Sequence, residues 1–121
     1  MLAQYCQLLD DGHFDEWIDL FAEDVEFVVM GMHKRGRDEV RAFIEPSQQA
    51  EARGRHMISE PWIELDGAEP AVTATVTTDF AWISRTGEVG QSGRYHDRLA
   101  RHPDRWRFQR REIVFTGDQP L

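Results

Sequence analysis

Leu2, Tyr5, Cys6 and Leu9 recur at helical spacing and predict a helix from Leu2 to about Asp10. Asp11-Gly12 breaks it. Phe14, Trp17, Ile18 and Phe21 repeat the spacing and predict a second short helix. From Asp24 the period changes, and Val25 to Met30 reads as a strand. Gly31 and Gly36 bracket a turn. Arg37 to about Glu45 is expected to be a third helix that buries Val40, Phe43 and Ile44, with Asp38 and Glu39 in its first turn. Ser47 to Gly54 is polar and reads as a helical tail or loop.

Four β-patterned segments follow. The first runs from Arg55 to Leu65 and is interrupted at Pro61, as at a bulge or sheet edge. The others are Ala71 to Ser84, Val89 to Arg101 and Trp106 to Thr116, separated by the turn signals Arg85-Thr86-Gly87 and His102-Pro103-Asp104. Helices first and long hairpin-linked strands afterwards predict an α+β domain over residues 1–121, an antiparallel, strongly bent sheet with helices on one face.

Two polar residues interrupt this pattern. Asp10 ends the first apolar helical stripe, and His56 opens the segment Arg55-His56-Met57-Ile58. If both point inward they need partners, and each suits the other. A histidine oriented by a carboxylate in an apolar cavity can move protons. Tyr5 and Asp10 are five residues apart, about 140° around a helix. They can border one cavity without bonding to each other. Gly93, Tyr95 and Asp97 share one strand face by alternation, and Tyr95 and Asp97 line the interior if that face is concave. Thr73, Thr75, Thr77 and Asp79 oppose Val76, Phe80 and Trp82 on another strand, and alternation does not say which face is inside.

Composition narrows the classes. The 121 residues carry 14 basic and 22 acidic side chains, a formal net charge of −8 that argues against a nucleic-acid surface. Arg105, Arg107, Arg110 and Arg111 read as a solvated strand face. One cysteine, Cys6, excludes an intrachain disulfide and reads as a small core residue. No apolar run approaches the ~20 residues of a membrane span. Met1 leads straight into the first helix without a basic leader, and a cytoplasmic protein is expected. His13, His33, His96 and His102 read as turn or surface residues. No metal-ligand spacing, phosphate loop or nucleophile elbow occurs, so cofactor-independent chemistry is the expectation.

Several segments resemble a known family in their order. They are Tyr5-x4-Asp10, Phe14-Asp15-Glu16-Trp17 through Phe21-Ala22-Glu23-Asp24-Val25, Gly36-Arg37-Asp38-Glu39-Val40, Arg55-His56-Met57-Ile58, Gly93-Arg94-Tyr95-His96-Asp97, and Trp106-Arg107-Phe108. Together they resemble the SnoaL-like proteins of the nuclear transport factor 2-like superfamily. The resemblance implies a cone-shaped α+β barrel, a curved sheet wrapped around helices with a deep pocket. Scytalone dehydratase and the bile-acid dehydratases place a Tyr and an Asp on the first helix and a His on the following strand, and Tyr5, Asp10 and His56 match them. The β subunits of aromatic-ring-hydroxylating dioxygenases, which are structural, share the opening and the Trp-Arg-Phe ending.

The chain departs from these templates in places. Ala71 to Ser84 holds no second histidine of the scytalone dehydratase kind, and Val29 stands where ketosteroid isomerases carry a general-base Asp. Arg94 and Asp97 lie on opposite faces of one strand, which disfavours limonene-epoxide-hydrolase-like chemistry.

The resemblance implies a dehydratase-like lyase or an isomerase acting on a cyclic, polyketide- or steroid-like apolar substrate. His56 is expected to be the acid/base, Asp10 its orienter and Tyr5 a phenolic donor. Tyr95, Asp97, Trp17, Phe27, Val29 and Ile58 are expected around the substrate. The rival expectation is a small-ligand-binding protein or a dioxygenase β-subunit-like partner. Self-association as a homodimer or homotrimer is expected from the long sheet with aromatic and Thr-rich faces.

Overall fold

The computed structural model describes residues 1–67 and 70–117. The first apolar stripe forms α1 (Leu2–Asp10), which buries Tyr5, Cys6, Leu9 and Asp10. Its end is a two-bond helix stop: Gly12 N–H donates to the Leu9 carbonyl and His13 N–H to that of Leu8. Gly12 sits at φ +79°, where a side chain is disfavoured.

Helix α2 (Phe14–Ile18) is shorter than its pattern suggests, and β1 (Phe21–Val29) starts three residues before the expected change of period. The cause is a break in β1: Phe21 pairs with Phe108, whereas the regular register begins at Glu26. The expected turn between Gly31 and Gly36 contains a short strand, β2 (Met32–Arg35), in a tight hairpin with β1. Helix α3 (Gly36–Ile44) follows, and two 3-10 turns, Glu45–Gln48 and Ala50–Ala52, form the segment expected to be a helical tail or loop.

Pro61 divides the next segment into β3 (Arg55–Ile58) and β4 (Trp62–Asp66). Both pair antiparallel with β5 (Thr73–Ile83), β3 near its end and β4 near its start. The remaining strands are β6 (Val89–Arg101) and β7 (Trp106–Phe115). The sheet order is β2-β1-β7-β6-β5-β3, with β4 also on β5. All pairs are antiparallel except β1 with β7. The sheet is open, with no pairing of its two edges among the described residues, so the expected barrel is a curved cone rather than a closed cylinder.

The helices cover the concave face. Tyr5 meets the rings of Trp17, Phe21, Tyr95 and Phe108 at 5.6–6.0 Å, so α1 is fastened to strands at both ends of the chain. Ala74, Val76, Thr78 and Phe80 are the buried face of β5, and Tyr95, Asp97 and Leu99 that of β6. No helix among the described residues is long and apolar enough to cross a membrane.

Candidate functional site

Asp10 and His56 meet. One Asp10 oxygen accepts a hydrogen bond from the His56 backbone N–H at 2.7 Å, and the other lies 2.6 Å from His56 Nδ1. The carboxylate is clamped by two groups of a single residue. Asp10 is 2% exposed at its side chain and His56 11%. Asp10 and Asp11 stand together at the negative end of α1, where an acid is disfavoured. Each is answered from β3, Asp10 by His56 and Asp11 by Arg55 at 2.7 Å. The clamp therefore also sets where the end of α1 rests on the start of β3.

The two ring nitrogens of His56 differ in consequence. A carboxylate accepts, so Nδ1 carries the proton shared with Asp10 and Nε2 is left basic. The ring lies against Phe80, with centroids 6.4 Å apart, and Phe80 stacks on Tyr95 at 4.3 Å and 14°. Ile58 pairs with Phe80 across the β3–β5 ladder and is partly buried. Phe115 meets Phe80 edge-on.

Deeper in the cone is a charged group that the strand pattern hides. Arg111 is 1% exposed, and its Nε and Nη2 donate to the two oxygens of Asp97 at 2.7 and 2.8 Å. Its guanidinium carbon lies 3.7 Å from the Tyr95 ring, 4.2 Å from Tyr5 and 4.5 Å from Phe108. Burial works against the charge, but the Asp97 carboxylate outweighs it and keeps the guanidinium firmly protonated. Nη1 of Arg111, Oγ1 of Thr78 and Nε1 of Trp17 are buried with no hydrogen-bond partner among the described residues.

This corrects the reading of the basic cluster as a solvated face, since Arg107 and Arg111 are both buried. A bulge is the reason. Leu99 pairs with Phe108 and Arg98 with Arg110, so Gln109 is extra and the alternation of β7 shifts across it. Phe108 and Arg111 then both face inward. Arg107 is held by Asp104 and Asp19.

The other expected site residues divide. Tyr5 and Tyr95 flank Arg111, and burial pushes the Tyr5 phenol up to about 12 and that of Tyr95 well above 10. Asp97 is on the inner face, but both its oxygens are engaged by Arg111. Phe27 and Val29 are buried on the inner face of β1, and Trp17 is wholly buried against Tyr5 and Phe21. Cys6 is a core residue whose thiol is pushed up to about 11 by burial. Arg94, on the outer face, pairs with Asp79 rather than Asp97.

Outside the clamp, Asp10 borders an open cleft of about 510 Å³ whose walls include Asp11, Arg53, Arg55 and Arg85. Arg53 and Arg85 were not apparent as site residues, because they stand in irregular segments where no periodicity assigns a direction.

Residues 1–112 match the model of the SnoaL-like domain. No curated protein matches the chain. Rv3472 of Mycobacterium tuberculosis, a protein of unknown function, superposes with a TM-score of 0.83 at 27% identity, over 94% of this chain and 66% of its own. This chain therefore spans just under two thirds of that relative's length. A candidate scytalone dehydratase from Novosphingobium aromaticivorans DSM 12444 gives a TM-score of 0.79 at 26% identity, over 98% of this chain and 82% of its own. From the same organism, the β subunit of a candidate aromatic-ring-hydroxylating dioxygenase gives 0.72 at 20% identity, over 98% and 85%, a likeness of fold alone.

Proposed function

The chain belongs to the SnoaL-like domain family, within the nuclear transport factor 2-like superfamily, and from that premise we propose that it is a cofactor-independent, dehydratase-like lyase acting on a cyclic, largely apolar small molecule. The observation that carries this reading is the clamp between Asp10 and His56. The structural likeness to a candidate scytalone dehydratase supports it.

The chemistry follows from the clamp. His56 Nε2 removes a proton from the carbon alpha to a substrate carbonyl, and the C–H electron pair moves into an enolate. Asp10 stabilises the imidazolium that forms. The enolate oxygen takes hydrogen bonds from phenols such as Tyr5 and Tyr95, which burial keeps protonated at neutral pH. The imidazolium then returns its proton to the hydroxyl on the β carbon. That C–O bond breaks, its electron pair leaves with water, and the enolate collapses to an unsaturated carbonyl. One histidine serves in turn as base and acid, an action worth ~10²–10⁴-fold in rate. An isomerase would use the same first proton transfer and return the proton to carbon.

The test is a panel of cyclic β-hydroxy ketones, followed by mass spectrometry for loss of water. His56→Ala and Asp10→Ala are each expected to abolish turnover of any substrate found. Undiminished turnover in the double variant would refute the reading. Co-purification with a larger iron–sulfur oxygenase subunit, without turnover, would favour a structural role instead.

A further inference from the structure

The cleft beside Asp10 carries more positive charge than its acids can absorb. Three guanidiniums reach it from separate segments: Arg53 after the second 3-10 turn, Arg55 at the start of β3, and Arg85 in the β5–β6 turn. Its two carboxylates are already engaged, Asp11 by Arg55 and both oxygens of Asp10 by His56. Arg53 and Arg85 have no acid within 4.0 Å among the described residues. This surplus occurs in a chain of net charge −8.

Both free guanidiniums are held by backbone rather than by counter-charge. Arg53 Nε donates to the Gln48 carbonyl at 2.9 Å, and its fork lies against the Phe14 ring at 5.8 Å. The fork also occupies the space over Gly12, where a Cβ would stand 2.5 Å from it. Arg85 Nη1 donates to the carbonyls of Ala50 and Glu51 at 3.3 and 3.4 Å. These bonds set the forks in place. They leave both terminal nitrogens of Arg53, and Nε and Nη2 of Arg85, without a partner among the described residues. Fixed guanidinium forks with free N–H groups match the two-oxygen edge of a carboxylate or phosphate.

We propose that this cleft is an anion-binding subsite, in which Arg53 and Arg85 hold a carboxylate or phosphate group of the substrate while the Asp10–His56 pair acts on its apolar body. The substrate class is thereby an acid or phosphate ester with a cyclic apolar skeleton, an assignment that rests on the lyase reading for its catalytic half only.

Isothermal titration of the full chain with inorganic phosphate, and separately with benzoate, tests the binding half. Saturable millimolar binding is expected, with the tighter probe identifying the source of the anion. Arg53→Gln and Arg85→Gln should each weaken the preferred probe about tenfold. The pair together should abolish binding. Arg85→Lys, which keeps a point charge on an exposed side chain, should retain part of it. His56→Gln should bind the probe as the native chain does while losing turnover, so failure of the subsite and failure of the lyase reading give different results. Absence of saturable heat with either probe, or native binding by the folded Arg53→Gln/Arg85→Gln variant, overturns the proposal.

Discussion

Replacing Asp97 by Asn removes the only counter-charge bonded to Arg111 among the described residues and leaves a full positive charge in the centre of the cone. The carboxylate accepts two charge-assisted bonds, at 2.7 and 2.8 Å, on a guanidinium that is 1% exposed. Charged hydrogen bonds contribute about 1.5–3 kcal/mol each. Asn keeps one neutral acceptor, so the loss approaches the ~3–5 kcal/mol typical of breaking a buried pair from one side. That is a large share of the roughly 5–15 kcal/mol that holds a domain folded. The four tryptophans give a fluorescence signal for urea unfolding, and the midpoint should fall sharply. Arg111→Met should cost a similar amount, because it strands Asp97. Asp97→Leu/Arg111→Met should cost far less than the two single changes together, since no buried charge remains. An Asp97→Asn loss below about 1 kcal/mol, the range of a solvated pair, would refute this account. So would strict additivity of the two sites.

The only two tyrosines are both buried beside Arg111, so absorbance at 295 nm should not rise through pH 10 in the folded protein, but should in urea. Because the folded Tyr5 pKa is raised from 10 to about 12, its stabilising effect is complete below pH 10 and is lost as pH climbs toward 12, visible as a falling urea midpoint. Hydrogen bonding to Arg107 holds the Asp104 carboxyl down to about 2, below its ordinary 3.8. This contribution is present above pH 3.8 and lost as pH falls through 2, and Arg107→Gln should move the Asp104 carboxyl midpoint upward in an NMR titration. Gly12→Ala forces a left-handed conformation and meets the Arg53 fork, so it should cost at least ~1–2 kcal/mol by urea unfolding and loosen Arg53. Cys6 is 4% exposed with a raised pKa, so it should react with Ellman's reagent only on unfolding.

Helix α1 was legible in the sequence because its apolar stripe is regular and Gly12 stops it. Strand β6 was legible because buried and exposed positions alternate strictly from Gly93 to Leu99. Asp10 and His56 stood out for a related reason, since each is a polar residue on an otherwise apolar pattern. Arg111 was hidden because one extra residue, Gln109, reverses the inward and outward positions after it. Pairing reveals such a bulge, but the composition of a single strand does not. Thr78 shares the buried face of Val76 and Phe80, and alternation alone did not say that this face is the inner one. The start of β1 was misplaced because Phe21 satisfies helical spacing and strand pairing equally well. Arg53 and Arg85 lie in turns, where direction is decided by tertiary packing.

The parallel pairing of β1 with β7, and the seating of Tyr5 on Phe108 and Arg111, bear on the order in which the molecule is made. Gln4 is hydrogen-bonded to Arg105, a hundred and one residues away. During synthesis α1 emerges well before β6 and β7, which supply the Tyr95, Phe108 and Arg111 side of its seat. The β5–β6 hairpin can assemble early, but its concave apolar face stays uncovered until that seat is complete. Covering of the concave face is therefore a late, long-range event, of the kind that slows folding. The nascent protein thus has an interval in which its future interior is open to other chains.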